Sequence, residues 1–235
     1  MTPVRRQLLE LLMRRSPGLV RREVLGRYRG SLFGAMPGGG SDFVTAPELS
    51  PWFGRTLGRQ VAQALRATGT DEVWEFGAGT GALALQVLDA LAAMGQAPRR
   101  YTIVDLSGTL RARQQATLAR HADRVVWADR LPDAFDGVVI GNEVLDAMPV
   151  QLLVRIGGQT DGQWYERGVV VDGAGALGWA ERSTDLRPPL DIEGPQNYLT
   201  EIHPQGEAFV RTLAERLQRG AAFFIDYGFP EAEYY

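Results

Sequence analysis

The run Val73-Trp74-Glu75-Phe76-Gly77-Ala78-Gly79-Thr80-Gly81 constrains this chain more than any other stretch. An apolar strand ends in an acid, three glycines alternate, and a helical pattern begins at Ala82. That order reads as a strand, a tight turn and a helix N-terminus, the arrangement by which α/β sheets hold nucleotide-type ligands against the positive end of a helix. Glycine is needed where the turn demands positive φ and a ligand approaches the backbone closely. The spacing is G-x-G-x-G, not the G-x-G-x-x-G of dinucleotide enzymes. Glu75, two residues before the first glycine, would repel a diphosphate. It suits a ligand with an ammonium group, such as the methionine end of S-adenosylmethionine. A nucleotide-dependent oxidoreductase is disfavoured on both counts.

The alternation of strand and helix patterns around this run predicts the fold. Ser50-Pro51 opens a helix through Phe53, Leu57, Val61 and Leu65 that ends before Gly69, with Ser50 as cap and Pro51 in the first turn. Strands are expected at Glu72–Phe76, Tyr101–Asp105, Arg124–Ala128 and within Phe135–Gly141, with helices at Ala82–Ala93 and Thr109–His121. This order implies a mostly parallel α/β sheet. From Leu152 to Trp179, valine, tyrosine and tryptophan alternate with polar residues between Gly157-Gly158, Asp161-Gly162 and Asp172-Gly173. Two or three inserted antiparallel strands are expected there. After a loop at Pro188–Pro195, a helix over Gln205–Leu217 with Gly220 behind it precedes a buried strand at Ala221–Asp226. The expected divisions are 1–40, an N-terminal helix and glycine-rich loop; 41–150, the ligand-binding core; 151–200, the antiparallel insertion; and 201–235, a return helix and strand of the core.

Composition narrows the classes of function. A chain of 235 residues, 45% hydrophobic, can bury one sizeable core or a core with a small lobe. A net charge of −3 does not suggest nucleic-acid binding. There are no cysteines, and the two histidines, His121 and His203, are too far apart for a zinc motif, so no metal is expected. No apolar run reaches the roughly 18 residues of a membrane span. Met1–Arg29 is arginine-rich and poor in acids, compatible with a transit peptide; the preferred reading is an amphipathic helix at Val4–Arg15, with Leu8, Leu9, Leu11, Leu12 and Met13 on or near one face.

Several polar groups fall where strands end, which is where open α/β sheets bind ligands. Asp105 could take two ribose hydroxyls or cap the next helix. Asp129, after the third strand, could approach an adenine amino group or be a solvated loop acid. Asn142, Glu143 and Asp146 follow the fourth strand. If they lie on a helical turn, Glu143 and Asp146 share a face, and paired carboxylates suit a guanidinium held as a fork. The alternative is capping of a short helix by Asn142. Asp226-Tyr227-Gly228 either faces the same site or is a plain turn.

Taken together, the motifs resemble a known family. Ser41-Asp42-Phe43-Val44-Thr45-Ala46-Pro47-Glu48-Leu49-Ser50-Pro51-Trp52-Phe53-Gly54 resembles a signature of the S-adenosylmethionine-dependent methyltransferases related to the mitochondrial complex I assembly arginine methyltransferase. Glu75–Gly81, Leu106–Gln114, Asn142–Val150 and Ala222–Gly228 resemble its further motifs in the same order. The resemblance implies a class I methyltransferase fold (Rossmann-like) and S-adenosylmethionine as cofactor. It also implies a protein substrate presenting arginine, and, through the family, a respiratory-complex subunit as partner. It assigns Glu75, Gly77, Gly79 and Gly81 to the methionine part, Asp105 to the ribose, and Glu143 and Asp146 to the acceptor side. Phe76, Leu106 and Asp129 are further cofactor-binding candidates, Asn142 is a catalytic candidate beside Glu143, and Asp42, Phe43 and Thr45 are cofactor-binding candidates in a lid loop where Phe43 excludes water. The compartment would be the cytoplasm of a bacterium or the mitochondrial matrix of a eukaryote. Relatives continue beyond the Asp226-Tyr227-Gly228 strand, so the C-terminal part of the fold is expected to be missing, leaving an open sheet edge. A non-catalytic cofactor- or partner-binding member, acting in complex assembly, is the alternative function.

Overall fold

Ser50 and Pro51 start the first long helix as their chemistry dictates. The Trp52 N–H donates to Ser50 Oγ at 3.3 Å, and proline occupies the first turn, where no intrahelical donor is required. In the computed structural model, which describes residues 45–105, 108–157, 162–190 and 196–228, this helix is α2 (Pro51–Thr68). It follows a single turn, α1 (Ala46–Leu49). Gly69 stops α2 in the left-handed conformation at φ 62°, and the Thr70 N–H returns to Leu65 O at 3.1 Å. The expected Val4–Arg15 helix and the glycine-rich stretch to Gly40 lie outside the described residues.

Among the described residues, those up to Val144 and from Arg216 onward form one compact unit, and Leu145–Glu215 form another. The first contains β1 (Glu72–Phe76), α3 (Ala82–Ala93), β2 (Arg100–Val104), α4 (Gly108–Thr117), a 3-10 turn (Ala119–His121), β3 (Val125–Ala128), β4 (Phe135–Asn142) and β9 (Leu217–Ile225). Its sheet runs β3-β2-β1-β4-β9, every pair parallel. β1 lies in the middle and is buried along its whole length. Val61, Leu88, Leu91, Tyr101, Ile103 and Ile140 are among the fully buried residues that join α2 and α3 to the sheet. Each such side chain contributes about 1.5–3 kcal/mol through removal from water. The parallel α/β core expected from the alternating patterns is therefore present, with β1 and α3 at their expected limits.

The last strand does not start at Ala221 after a helix-ending Gly220; it starts at Leu217, and Gly220 lies inside it, paired with Gly137 of β4. A Cβ on Gly220 would come within 1.8 Å of the Gly137 carbonyl oxygen. Gly137 itself has φ 138°, and a Cβ there would sit 2.6 Å from the backbone oxygen of Glu72. The two glycines allow β4 to approach both neighbours, and the register shifts beside them, between Phe135 and Asp136. Gly137→Ala is expected to destabilise the chain by about 2–4 kcal/mol, combining overpacking with backbone strain. Urea unfolding checks this, and an unchanged midpoint would refute it.

The second unit contains β5 (Gln151–Ile156), β6 (Gln163–Val171), β7 (Leu177–Ser183), β8 (Tyr198–Ile202) and α5 (Pro204–Arg216), which runs into β9. Its antiparallel sheet runs β7-β6-β5-β8. Three strands follow the alternating pattern; β8 was not expected, because its register partner β5 lies far from it in sequence. Leu153, Trp164 and Ile202 form the small core, with Leu186 and Tyr198 against it. The β6–β7 turn is organised by Asp172, whose Oδ1 accepts from Ala174 N and Ala176 N at 2.9 and 2.7 Å. Near that turn Val169 opposes Trp179 and Val171 opposes Leu177, all four exposed.

Candidate active site

Glu75 is 1% exposed near the end of the central strand. Tyr101, fully buried on β2, donates its hydroxyl to Glu75 Oε2 at 2.7 Å. Burial pushes the Glu75 carboxyl from an ordinary 4.5 up to about 7; the Tyr101 hydrogen bond opposes the shift, and the charge of Asp105 adds to it. Burial, and then the Glu75 charge, hold the Tyr101 hydroxyl well above its usual 10.

The chain then leaves the sheet through three left-handed glycines, with φ of 64° at Gly77, 53° at Gly79 and 85° at Gly81. Gly81 is the N-cap of α3. Among the described residues, nothing stands within 4 Å of where a Gly79 Cβ would be, so they leave this side of the turn open, whereas Gly81 lies 3.4 Å by the same measure from Gln114 Cα. The turn therefore offers backbone to a ligand on one side and packs on the other.

Asp105 follows β2, its N–H donating to Ala128 O at 3.3 Å. Its Oδ2 accepts from Gln114 Nε2 at 2.8 Å. Gln114 Nε2 also donates to Gly79 O at 3.0 Å, and Trp127 Nε1 donates to Gln114 Oε1 at 2.8 Å. Thr117 Oγ1 donates to Thr80 O at 2.9 Å. Helix α4 thus fastens the glycine turn. Gln114 is not among the site residues expected from the sequence; its place in the Leu106–Gln114 motif is the signal that points to it. Asp129 is exposed and paired with Arg111 at 2.7 Å.

At the end of β4, Asn142 pairs with Ile225, and the Glu143 N–H donates to Ile225 O at 2.8 Å. Asp226 follows directly. The segment is not the helical turn considered above, and Asn142 caps no helix: it is the last residue of a strand. Glu143 instead takes φ 53° and, among the described residues, is the non-glycine with positive φ. Such strain concentrates at functional sites. Asp146 is exposed and belongs to the other unit.

The register brings Phe76 beside Val104 and Gly141, so the glycine turn, Asp105 and Asn142-Glu143 leave the sheet at one end. Asp42, Phe43 and Leu106 lie outside the described residues. Thr45 is extended and precedes α1. The end of the expected lid segment is tied down: Gln86 Nε2 donates to Pro47 O at 2.7 Å, and Thr80 Oγ1 to Glu48 Oε1 at 3.1 Å. A cleft of about 870 Å³ opens instead at the opposite, amino ends of the strands. Its Arg99 and Arg100 pair with Glu72, and its Arg219 pairs with Asp136. These internal pairs leave that cleft without the features of the carboxyl end, which carries the candidate site.

Residues 56–235 match the model of a family of S-adenosyl-L-methionine-dependent methyltransferases. A Burkholderia thailandensis protein crystallised with S-adenosyl-homocysteine is 54% identical, with a TM-score of 0.75, over 89% of this chain and 56% of that one. A second crystal structure from the same organism is 46% identical, with a TM-score of 0.73, over 100% of this chain and 66% of that one. The mitochondrial protein arginine methyltransferase NDUFAF7 homolog of Drosophila melanogaster is 29% identical over 96% of this chain and 56% of its own length. That of Caenorhabditis elegans is 26% identical over 81% and 51%. The chain spans about half the length of these curated relatives.

Proposed function

From the premise that the chain belongs to this S-adenosyl-L-methionine-dependent methyltransferase family, we propose that it transfers the cofactor's methyl group to an arginine side chain of a protein. The observation that carries the reading is the strained Glu143, held at the carboxyl end of β4 next to the strand that bears Glu75 and the glycine turn. The arginine acceptor is suggested by the mitochondrial protein arginine methyltransferase NDUFAF7 homologues; a respiratory-complex subunit as the protein that carries it rests on the motif resemblance alone.

The residues present fit the cofactor. Glu75 is a buried carboxylate suited to an ammonium, the glycine turn is open at Gly79, and Asp105 is held at the next strand end, where a ribose would lie. S-adenosylmethionine would supply a methyl group on a positively charged sulfur, its carbon–sulfur bond breaking as the nitrogen–carbon bond forms, with neutral S-adenosylhomocysteine as the leaving group. Glu143 orients the guanidinium of the acceptor and takes the proton that its nitrogen loses as the new bond to carbon forms. Positioning of nucleophile and methyl supplies the larger part of the acceleration.

The test is incubation with methyl-labelled S-adenosylmethionine and an unmethylated protein extract, followed by acid hydrolysis. Labelled methylarginine is the expected product. Label on another residue, or none from a chain that binds S-adenosylhomocysteine, would refute the acceptor. A second reading, non-catalytic partner binding, is favoured by the exposed apolar face of Val169, Val171, Leu177 and Trp179. Its mark would be partner binding that Glu143→Gln leaves intact.

A further inference from the structure

We propose that Gln114 is a positioning residue that sets Asp105 for the cofactor's ribose and locks the ribose side of the site to the glycine turn. The inference rests on the cofactor reading above and extends it to a residue that touches no cofactor itself.

Gln114 is 0% exposed, so its amide must find partners within the protein. An indole N–H can only donate, so Trp127 Nε1, 2.8 Å away, must face the amide oxygen of Gln114. That fixes which way the amide points. Its nitrogen then faces two acceptors, the Gly79 carbonyl at 3.0 Å and Asp105 Oδ2 at 2.8 Å, one for each N–H. Three groups from three successive strand ends meet on one side chain: the turn after β1, the acid after β2, and Trp127 near the end of β3. The bond to Oδ2 restrains rotation of the Asp105 carboxylate and with it the direction of its other oxygen. A cis-diol hydrogen bond depends on that direction, because hydrogen bonds weaken steeply below an angle of about 120°.

Methionine in place of Gln114 keeps length and apolar bulk but leaves the Trp127 N–H, the Gly79 carbonyl and Asp105 without this partner. The test is calorimetric titration of the full chain with S-adenosylhomocysteine and with its 2′-deoxyribose analogue. It compares the unaltered chain, Gln114→Met, Asp105→Ala and the double variant. The expected result is about a tenfold loss of S-adenosylhomocysteine affinity in Gln114→Met, the size of one charge-assisted hydrogen bond. The preference for the ribose over the deoxyribose ligand should shrink, and the double variant should bind no worse than Asp105→Ala alone. Equal losses for both ligands, or additive losses in the double variant, would overturn the proposal and leave Gln114 as packing. Should Gln114→Met fail to fold, Trp127→Phe keeps the amide and frees it to turn. A smaller loss of the same ribose preference is expected, and an unchanged preference would overturn the proposal. Failure of the unaltered chain to bind either ligand would instead refute the cofactor reading, so the two failures are distinct.

Discussion

At pH 8, Glu75→Gln is expected to melt several degrees above the unaltered chain while binding S-adenosylhomocysteine about tenfold to a hundredfold more weakly. Both effects come from one carboxylate. Glu75 is buried with its carboxyl pushed up to about 7, from an ordinary 4.5. The folded chain therefore holds this proton more tightly than the unfolded chain does. The resulting stability is fully present below about pH 4.5 and is lost as pH rises through 7. The loss corresponds to about 3 kcal/mol at one pKa unit per 1.36 kcal/mol. Glutamine carries no charge to desolvate and can still accept from Tyr101. The variant's advantage should shrink as pH falls and vanish below about pH 4.5, where Glu75 is protonated in the folded and unfolded chains alike. The cost is the ammonium partner, worth about 1.5–3 kcal/mol as a charge-assisted hydrogen bond. In the unaltered chain the same carboxyl should release a proton when the ligand's ammonium binds below pH 7. Affinity should rise with pH up to about 7 and then level, with a binding enthalpy at pH 6 that depends on the buffer's own ionisation heat. Equal melting of the two chains at pH 8, or affinity independent of pH between 5.5 and 7, would refute this account of Glu75.

Glu143→Gln is expected to reduce methyl transfer by about 100-fold or more, within the range for loss of a positioned proton acceptor, with S-adenosylhomocysteine affinity held within about twofold. The structural contribution of position 143 survives the change, because its anchoring bond to Ile225 O comes from the backbone. Glutamine keeps the size of the side chain and its ability to accept, but not its charge or basicity. Single-turnover kinetics with saturating cofactor separate the two outcomes. Weakened cofactor binding with unchanged turnover would move Glu143 from the acceptor side to the cofactor side and refute the role proposed here.

The parts of this protein legible in its sequence share a physical character. The limits of β1, α2 and α3 were readable because local chemistry enforces them: a serine cap with proline behind it, a left-handed glycine stop, and an alternating glycine turn. The strand-end positions of Glu75, Asp105 and Asn142-Glu143 followed from the same alternation of strand and helix. Features that depend on a distant neighbour were not readable. β8 exists through pairing with β5, and the early start of β9 through the close pass of Gly220 over Gly137. Asp129 reads as a strand-end acid but meets Arg111 from α4.

Sequence alone determined the order of elements in the parallel core, the glycine turn with its acid, and the family, since each rests on contacts within a few residues or on motifs that recur in order. Tertiary structure alone decided that Glu75 is desolvated against Tyr101, that Glu143 is held left-handed by β9, and that Gln114 joins three strand ends. The reason is the same in each case: burial and hydrogen-bond direction belong to pairs of groups remote in the chain, and only packing sets their distance.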